Sequence, residues 1–400
     1  MNINEIMQYD QSYFMNTFGK RIPVAFSKGD GIHLYTEDGQ IYTDFFSGIA
    51  VNSLGYNNQA LINAITEQAK NLIHCSNYYY VEKQAHLAKE LCERTFADKV
   101  FFSNSGAEAN EAAIKLARAY FSKKGIKKHK IISLNSSFHG RTLATLAATG
   151  TESYQRPFLP LPEGFLKANY DKIEEIEKIF TEDNEICAVI IEPIMGEGGV
   201  HPHKNSYLKT LRDLCDKHNV LLIFDEVQTG ICRTGSFYAY MDTGVTPDIL
   251  TSAKALGGGM PIGACLATDK VASAFEPGDH GSTYIGGPVS CAAALAVLSE
   301  CDRLNLCDNA KKIGDYLIAE LNKLKNKYTD IKEIRGRGLM IGIQFDKINA
   351  ADVKNQFFGQ NYLVGTAGGN TLRLLPPLII NQTDVDQFIK TFDNILQGGL

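Results

Sequence analysis

The chain has 400 residues, of which 44% are hydrophobic and 21% are charged, with 40 basic against 45 acidic side chains. This composition predicts a globular protein of about two domains, and the net charge of −5 argues against nucleic acid or a membrane surface as a partner. No apolar run is long enough to span a membrane, and the N-terminus lacks the basic and apolar regions of a signal peptide. Nine scattered cysteines without a CxxC pair indicate free thiols in a reducing cytoplasm. His201 and His203 form a close pair with no third ligand near them in the sequence, so no metal site is predicted.

The chain is predicted to divide into three parts. Residues 1–57 read as a short helix and short antiparallel strands with glycine turns, and we assign them to a small domain. Residues 58–286 begin with helical patterns at 58–73 and 82–95 and are assigned to a large domain that binds a cofactor. Residues 287–400 mix helical and strand patterns and are assigned to the C-terminal part of the small, α+β domain.

The first candidate ligand site follows a predicted strand at 99–103. Ser105, Gly106 and Ala107 come directly after it and precede a helical pattern over 111–120. Free N–H groups and the dipole of a helix start favour a phosphate, and a glycine lets the phosphate approach closely. Ser105 is equally typical of an ordinary helix cap, so this signal is weak when taken alone.

Two further predicted strands are followed by residues that could bind a ligand. The strand at 131–134 is followed by Phe138 and His139, which are suited to stacking on a flat ring, and by Arg141, which could clamp a carboxylate. The strand at 187–192 leads to Glu197 in a glycine-rich loop. Phe138 could equally be an aromatic residue packed in the interior, and Glu197 an exposed loop carboxylate. These residues therefore support a ligand site only when they are taken together with the others.

The strongest signal lies between Val220 and Gly259. The uninterrupted apolar run 220–224 predicts a strand buried on both faces, and Asp225 and Gln228 follow at its end. Lys254 follows the next apolar run among small neighbours, and burial would lower its pKa and make it a nucleophile for carbonyls. A nucleophilic lysine and an acid that keeps a pyridine nitrogen protonated are what pyridoxal phosphate requires. The alternative is that Asp225 belongs to an ordinary helix start and Lys254 to a solvated loop.

Strand and helix patterns alternate from about 99 to 270, which predicts a mostly parallel sheet with all of these residues at one edge. Helical patterns follow at 288–298 and 310–328, β patterns lie around Ile334, at 338–345 and at 371–375, and the last helix is predicted at 385–396. Arg373 is a lone charge in an apolar strand, and it is either paired within the structure or a carboxylate receptor.

Seven segments, taken together and in this order, resemble the class III aminotransferases of the fold-type-I pyridoxal phosphate enzymes. They are SNSGAEANEAAIKLAR, SFHGRTLATLAATG, IIEPIMGEGGV, LLIFDEVQTGICRTG, PDILTSAKALGGGMPIGA, HGSTY and LRLLPPL. The resemblance implies an α/β fold with a mostly parallel central sheet and a smaller α+β domain, pyridoxal 5′-phosphate as cofactor, and a homodimer that shares its active sites.

The resemblance also assigns roles to individual residues. Lys254 matches the lysine that binds the cofactor aldehyde, and Asp225 matches the partner of the pyridine nitrogen. Thr283 matches a phosphate ligand supplied by the other subunit, and Glu197 matches the acid that pairs with the second of two carboxylate-binding arginines. The implied cofactor-binding residues are Ser105, Gly106, Ala107, Phe138, Asp225, Gln228, Lys254 and Thr283, and the implied substrate-binding residues are Arg141, Glu197, Arg373 and Ser282.

The segments DFFSGIAVNSLGY and HCSNYYY make the chain most similar to members that transaminate N2-acetylornithine with 2-oxoglutarate in arginine biosynthesis. Succinyl-diaminopimelate, ornithine and 4-aminobutyrate aminotransferases remain open, as do an aminomutase and a catalytically inactive protein of this fold. Two departures bear on the choice. Residues 285–288 differ from the usual Gly-Gly-Asn-Pro, and Tyr78 and Tyr79 replace smaller or different aromatic residues near the expected substrate entrance.

Overall fold

The structure is a computed structural model that describes residues 1–398; positions 399–400, the end of the predicted C-terminal domain, lie outside the described residues. The strands are β1 (Phe26–Asp30), β2 (His33–Thr36), β3 (Ile41–Asp44), β4 (Lys99–Ser103), β5 (Lys130–Leu134), β6 (Phe165–Ala168), β7 (Ile186–Ile191), β8 (Ile194–Met195), β9 (His201–Pro202), β10 (Leu221–Asp225), β11 (Ile249–Ser252), β12 (Gly263–Ala267), β13 (Ile331–Arg337), β14 (Met340–Phe345), β15 (Tyr362–Leu363), β16 (Gly365–Ala367) and β17 (Thr371–Leu374).

The longer helices are α1 (Ile3–Tyr13), α2 (Gln59–Asn71), α3 (Glu82–Glu93), α4 (Gly106–Ser122), α5 (Leu143–Ala148), α6 (Ile173–Glu182), α7 (Asn205–His218), α8 (Pro288–Arg303), α9 (Leu306–Lys327), α10 (Ala350–Gly359) and α11 (Gln382–Gln397). Short helical turns cover Ser47–Ala50, Glu152–Gln155, Arg156–Phe158, Ala239–Asp242, Lys254–Gly257 and Asp269–Ala272. No helix in residues 1–398 combines the length and apolar character that crossing a membrane requires.

A seven-stranded central sheet has the order β4-β12-β11-β10-β7-β5-β6. The pairs from β11 to β6 are parallel, whereas β12 runs antiparallel to both of its neighbours. Every residue of β7 and β10 is buried, as the unbroken apolar runs predict for strands covered on both faces. The prediction of a mostly parallel sheet is therefore confirmed, with β12 as the exception.

Two smaller sheets contain the ends of the chain. Strands β1, β2 and β3 pair antiparallel, and β3 then pairs in parallel with β15. Strands β13, β14, β17 and β16 form an antiparallel sheet. The N-terminal strands thus share a sheet with a strand of the C-terminal part, although the predicted boundaries at 57 and 286 stay a prediction.

Several element boundaries differ from the sequence prediction. Helix α4 begins at Gly106, five residues before the predicted Glu111, because Ser105 caps it by accepting from the Glu108 N–H at 3.2 Å. Helix α10 and the short strands β15 and β16 were not predicted. The two strands are too short to show an alternating pattern, and their pairing with β3 and β17 places them.

Candidate functional site

A cavity of about 390 Å³ lies at the carboxyl ends of β4, β5, β7, β10 and β11. The carboxyl edge of a parallel sheet is where α/β proteins bind ligands, and this volume is in the range of small-molecule sites. The predicted site residues that line it are Ser105, Gly106, Ala107, Phe138, Arg141, Asp225, Gln228 and Lys254. These residues come from four separate strand ends, those of β4, β5, β10 and β11, and they meet in one place.

Lys254 lies just past β11 between the buried residues Ala253 and Ala255. Its backbone φ of 48° is in the left-handed region, which residues other than glycine seldom adopt. Within residues 1–398 no carboxylate is within ion-pair distance of its ammonium group, and burial lowers the pKa of this lysine. Burial therefore shifts the amine toward its neutral, nucleophilic form.

Asp225 ends β10 and is held by three hydrogen-bond partners. Its Oδ2 accepts from Asn110 Nδ2 at 2.7 Å and lies 2.8 Å from His139 Nδ1, and its Oδ1 accepts from the Val227 N–H at 3.1 Å. Thr251 in turn donates to Asn110 Oδ1 at 2.7 Å. A carboxylate with this many partners keeps one position, which suits it to hold a ring nitrogen.

Sequence reasoning missed two members of this network. His139 was interpreted only as a stacking ring, whereas its Nδ1 contacts Asp225 and its Nε2 is buried with no partner in residues 1–398. Asn110 was given no role, although it lies four residues after Gly106, about one helical turn into α4. That spacing places Asn110 on the side of the helix start that faces the cavity, and it could have indicated the residue.

Glu192, directly after β7, is a further cavity residue that the sequence did not single out. Its Oε2 accepts from the Phe138 N–H at 3.1 Å and its Oε1 from the Gly196 N–H at 3.0 Å. Burial, together with the negative charge of Asp225, raises the pKa of Glu192 to about 8. Glu192 is thus mainly protonated near neutral pH, and it ties the loops after β5 and β7 together beside the cavity.

The start of α4, which was predicted to bind an anion, lines the cavity. Within residues 1–398 no acceptor contacts the N–H groups of Gly106 and Ala107, which are among the first of a 17-residue helix. A side chain at Gly106 would collide with Val227, since a Cβ there would lie 2.7 Å from Val227 Cγ1. The close approach of the two segments therefore requires glycine at this position.

Arg373 and Glu197 lie beside the cavity and form an ion pair. Arg373 is only 2% exposed, and its Nη1 donates to Glu197 Oε1 at 2.7 Å and to Gln228 Oε1 at 3.3 Å. Gln228 also lines the cavity, so it connects the ion pair to the cavity wall. The two residues are 176 positions apart in the chain, and strand β17 brings Arg373 back to the loop after β8.

Ser282 and Thr283 are predicted site residues that do not line this cavity and that, unlike Arg373 and Glu197, have no hydrogen bond to a cavity residue or its partner within residues 1–398. Both are exposed, and Ser282 lines a separate cavity with Glu108, Glu111 and His280. Asn77 Nδ2 donates to the carbonyl oxygens of Ser282 at 3.4 Å and Ile285 at 3.2 Å.

The profile described as Aminotransferase class-III matches residues 14–396. The chain belongs to the class III aminotransferases. It is 45% identical over 393 residues to an acetylornithine aminotransferase of Caldanaerobacter subterraneus subsp. tengcongensis, which covers 98% of this chain and 99% of that protein.

Two solved structures also resemble this class III aminotransferase. An ornithine aminotransferase of Toxoplasma gondii has a TM-score of 0.94 at 33% identity, covering 100% of this chain and 96% of that one. An acetylornithine aminotransferase of Elizabethkingia anophelis has a TM-score of 0.88 at 32% identity, covering 100% of both chains. Similarity in fold therefore does not separate the two kinds of relative, and the chain has the fold-type-I architecture of both.

The cavity residues fit pyridoxal phosphate, a planar pyridine that carries an aldehyde and a phosphate. Lys254 offers an amine of lowered pKa, and the start of α4 offers N–H groups that have no acceptor in the described part of the chain. Asp225 offers a fixed carboxylate, and Phe138 an aromatic ring. Each chemical feature of the cofactor thus has a matching group.

Proposed function

We propose that the chain transfers the terminal amino group of N2-acetylornithine to 2-oxoglutarate, giving N-acetylglutamate 5-semialdehyde and glutamate in arginine biosynthesis, with pyridoxal 5′-phosphate as cofactor. The observation that carries the proposal is the cavity that joins Lys254 to Asp225. Close by lie one ion-paired arginine and a second one that has no carboxylate partner within residues 1–398. The name of the relative with 45% identity supports the same substrate.

Pyridoxal phosphate, when bound, supplies an aldehyde that condenses with amines and a ring that withdraws electrons from the bonds of the attached carbon. Lys254 and the start of α4 would hold its aldehyde and phosphate, Asp225 its ring nitrogen, and Phe138 one ring face. Gln228 would lie near its phenolic oxygen.

Two residues then do the proton chemistry. The Lys254 amine would act as the base and then the acid, taking a proton from the substrate carbon that bears the reacting nitrogen and giving it back. Asp225, fixed by Asn110 and His139, would hold the ring nitrogen of the bound cofactor in its protonated form. The absence of any ion pair on Lys254 within residues 1–398 leaves its amine free to move for both proton transfers.

The two substrates must present different groups at the same place. N-acetylornithine reacts at its terminal amine, whereas glutamate reacts next to a carboxylate. Arg141 would bind the distal carboxylate of each. Arg373 stays covered by Glu197 when the donor is bound, and it is uncovered to bind the carboxylate next to the reacting carbon of glutamate.

We further propose that the protein acts as a homodimer, with Thr283 reaching the phosphate of the partner's site. Thr283 is exposed and outside the cavity of its own chain. Exposed aromatic residues surround the same loop, where His74 lies 5.7 Å from Tyr284, ring centroid to ring centroid, and Tyr78, Tyr79 and Tyr80 are exposed nearby. An apolar surface of this kind is typical of a protein–protein contact.

The nine free cysteines fit a cytoplasmic location.

Ornithine is the second candidate donor, because the Toxoplasma gondii structure with a TM-score of 0.94 is an ornithine aminotransferase. The test uses the visible absorbance of the cofactor-loaded protein after single donors are added without an oxo acid. N-acetylornithine and glutamate are expected to bleach it quickly, and ornithine, succinyl-diaminopimelate and 4-aminobutyrate slowly. Preference for ornithine would overturn the substrate, and no bleaching by any donor would overturn the reaction.

A further inference from the structure

We propose that Tyr154 is a positioning residue that holds the Arg141 guanidinium on the face of its ring, so that Arg141 is ready for the carboxylate that both substrates share. The inference rests on the proposed function, because it takes Arg141 as the receptor of that carboxylate. Tyr154 does not line the cavity and would act only through Arg141.

Arg141 is placed by aromatic rings and not by an acid. Its Cζ lies 3.8 Å from the ring centroid of Tyr154 and 5.6 Å from that of Phe138. Within residues 1–398 no Asp or Glu oxygen is within ion-pair distance of its guanidinium, although the side chain is exposed. A guanidinium at 3.8 Å from a ring centroid is well within the range of a cation–π interaction.

The Tyr154 ring is itself fixed to the segment that carries Arg141. Tyr154 belongs to the helical turn Glu152–Gln155, and Gln155 Nε2 donates to the carbonyl oxygens of Leu146 at 2.9 Å and Thr149 at 2.7 Å at the end of α5. The Tyr154 and Phe138 rings are perpendicular, with centroids 6.3 Å apart. The turn that carries Tyr154 is therefore attached to the end of α5, in the same segment that carries Arg141.

An aromatic support has an advantage over an acidic one at this position. A carboxylate on Arg141 would compete with the carboxylate of every substrate, and it would have to be displaced at each binding event. A ring face instead contacts the flat side of the guanidinium and leaves the N–H groups at its edge free for a bidentate carboxylate. It also removes conformational freedom from a long side chain before the substrate arrives.

Two matched variants separate this role from simple packing. Tyr154→Phe keeps the ring face and removes only the hydroxyl, so it should bind substrates as the wild type does. Tyr154→Leu keeps an apolar side chain but removes the ring, and we expect carboxylate binding to weaken about tenfold. Thermal unfolding of both cofactor-loaded variants checks that each is folded.

The experiment compares N-acetylornithine with N-acetylputrescine, the same molecule without its carboxylate, in single-turnover reactions. Tyr154→Leu should lower the second-order rate constant for N-acetylornithine about tenfold, mainly by raising the apparent dissociation constant of this donor, and leave that for N-acetylputrescine within about twofold. Equal losses for both donors would overturn the proposal, because they would indicate a general packing defect. A loss in Tyr154→Phe as large as that in Tyr154→Leu would also overturn it.

A second measurement keeps this test independent of the donor assignment. The dissociation constant of glutarate, an unreactive dicarboxylate, should rise about tenfold in Tyr154→Leu and stay within about twofold of wild type in Tyr154→Phe. An unchanged constant in Tyr154→Leu would overturn the role of Tyr154. A wild-type enzyme that ignores N-acetylornithine would instead refute the proposed substrate, and glutarate would still decide the Tyr154 proposal.

Discussion

The two arginines near Lys254 are held in opposite ways. Arg373 is 2% exposed and is ion-paired with Glu197 at 2.7 Å, whereas Arg141 is exposed and its guanidinium carbon lies 3.8 Å from the ring centroid of Tyr154. One positive charge is therefore compensated before any substrate binds, and within residues 1–398 the other has no carboxylate to compensate it. The same side-chain type is thus placed in two different electrostatic states around one reactive amine.

This difference suggests how one site can accept two dissimilar substrates in turn. A carboxylate that every substrate has needs a receptor that is always available, and Arg141 is our proposed candidate for it. A carboxylate that only one substrate has needs a receptor that is available only then. The acid that pairs with Arg373 is Glu197, whose side chain is 27% exposed. Breaking the pair therefore costs only a moderate free energy.

The largest effect is expected from removing the reactive amine of Lys254, because both half-reactions require it. Lys254→Ala should slow both half-reactions by at least ~10³-fold, because no other amine can move the proton at the reacting carbon. Single-turnover rates with N-acetylornithine and with glutamate check this. Retained multiple turnover with either substrate would refute the role of Lys254.

A smaller effect is expected when the Glu197 carboxylate that pairs with Arg373 is removed. Glu197→Ala should slow the N-acetylornithine half-reaction roughly tenfold, because an uncovered Arg373 attracts the donor carboxylate into an unproductive position. The glutamate half-reaction should change by less than about threefold. Glu197→Gln is the matched control, since it keeps an oxygen for Arg373 without the charge. Its rate in the N-acetylornithine half-reaction should fall between those of the wild type and Glu197→Ala. Equal losses in both half-reactions would rule out the proposed switch.

The smallest effect concerns stability and pH. Because the pKa of Lys254 is lowered on folding, the unfolded chain binds more protons than the folded one between the two pKa values. The buried lysine therefore lowers stability at neutral pH, and this penalty fades as the pH rises toward 10.5, the value for an unperturbed lysine. Lys254→Met should raise the unfolding temperature of the cofactor-free protein by roughly 2 °C at pH 7 and by less at pH 10. A gain that grows with pH would contradict the lowered pKa.

The sequence predicted the central sheet well because its signals are local. The unbroken apolar run at β10 follows directly from burial on both faces, and the residues after each strand end could be assigned to one edge by topology alone. Helix α4 begins five residues before the helical pattern predicted at 111–120, although Ser105 was already recognised as a possible helix cap.

The contacts between distant segments could not be predicted in the same way. The Arg373–Glu197 pair joins residues 176 positions apart, and only the resemblance to a family suggested it. The partners of Asp225 depend on how α4 and the loop after β5 pack against β10, which no periodic pattern encodes. The support of Arg141 by Tyr154 has no sequence signal beyond an aromatic residue in a polar segment.

The most direct test of the account compares single-turnover rates of Arg373→Ala with N-acetylornithine and with glutamate, with Arg141→Ala as the reference. We predict that Arg373→Ala slows the glutamate half-reaction roughly 100-fold while N-acetylornithine changes by less than about threefold. Arg141→Ala should slow both half-reactions by similar factors. If Arg373→Ala slows both half-reactions equally, the two arginines do not differ in the way that their contacts indicate, and the account is wrong.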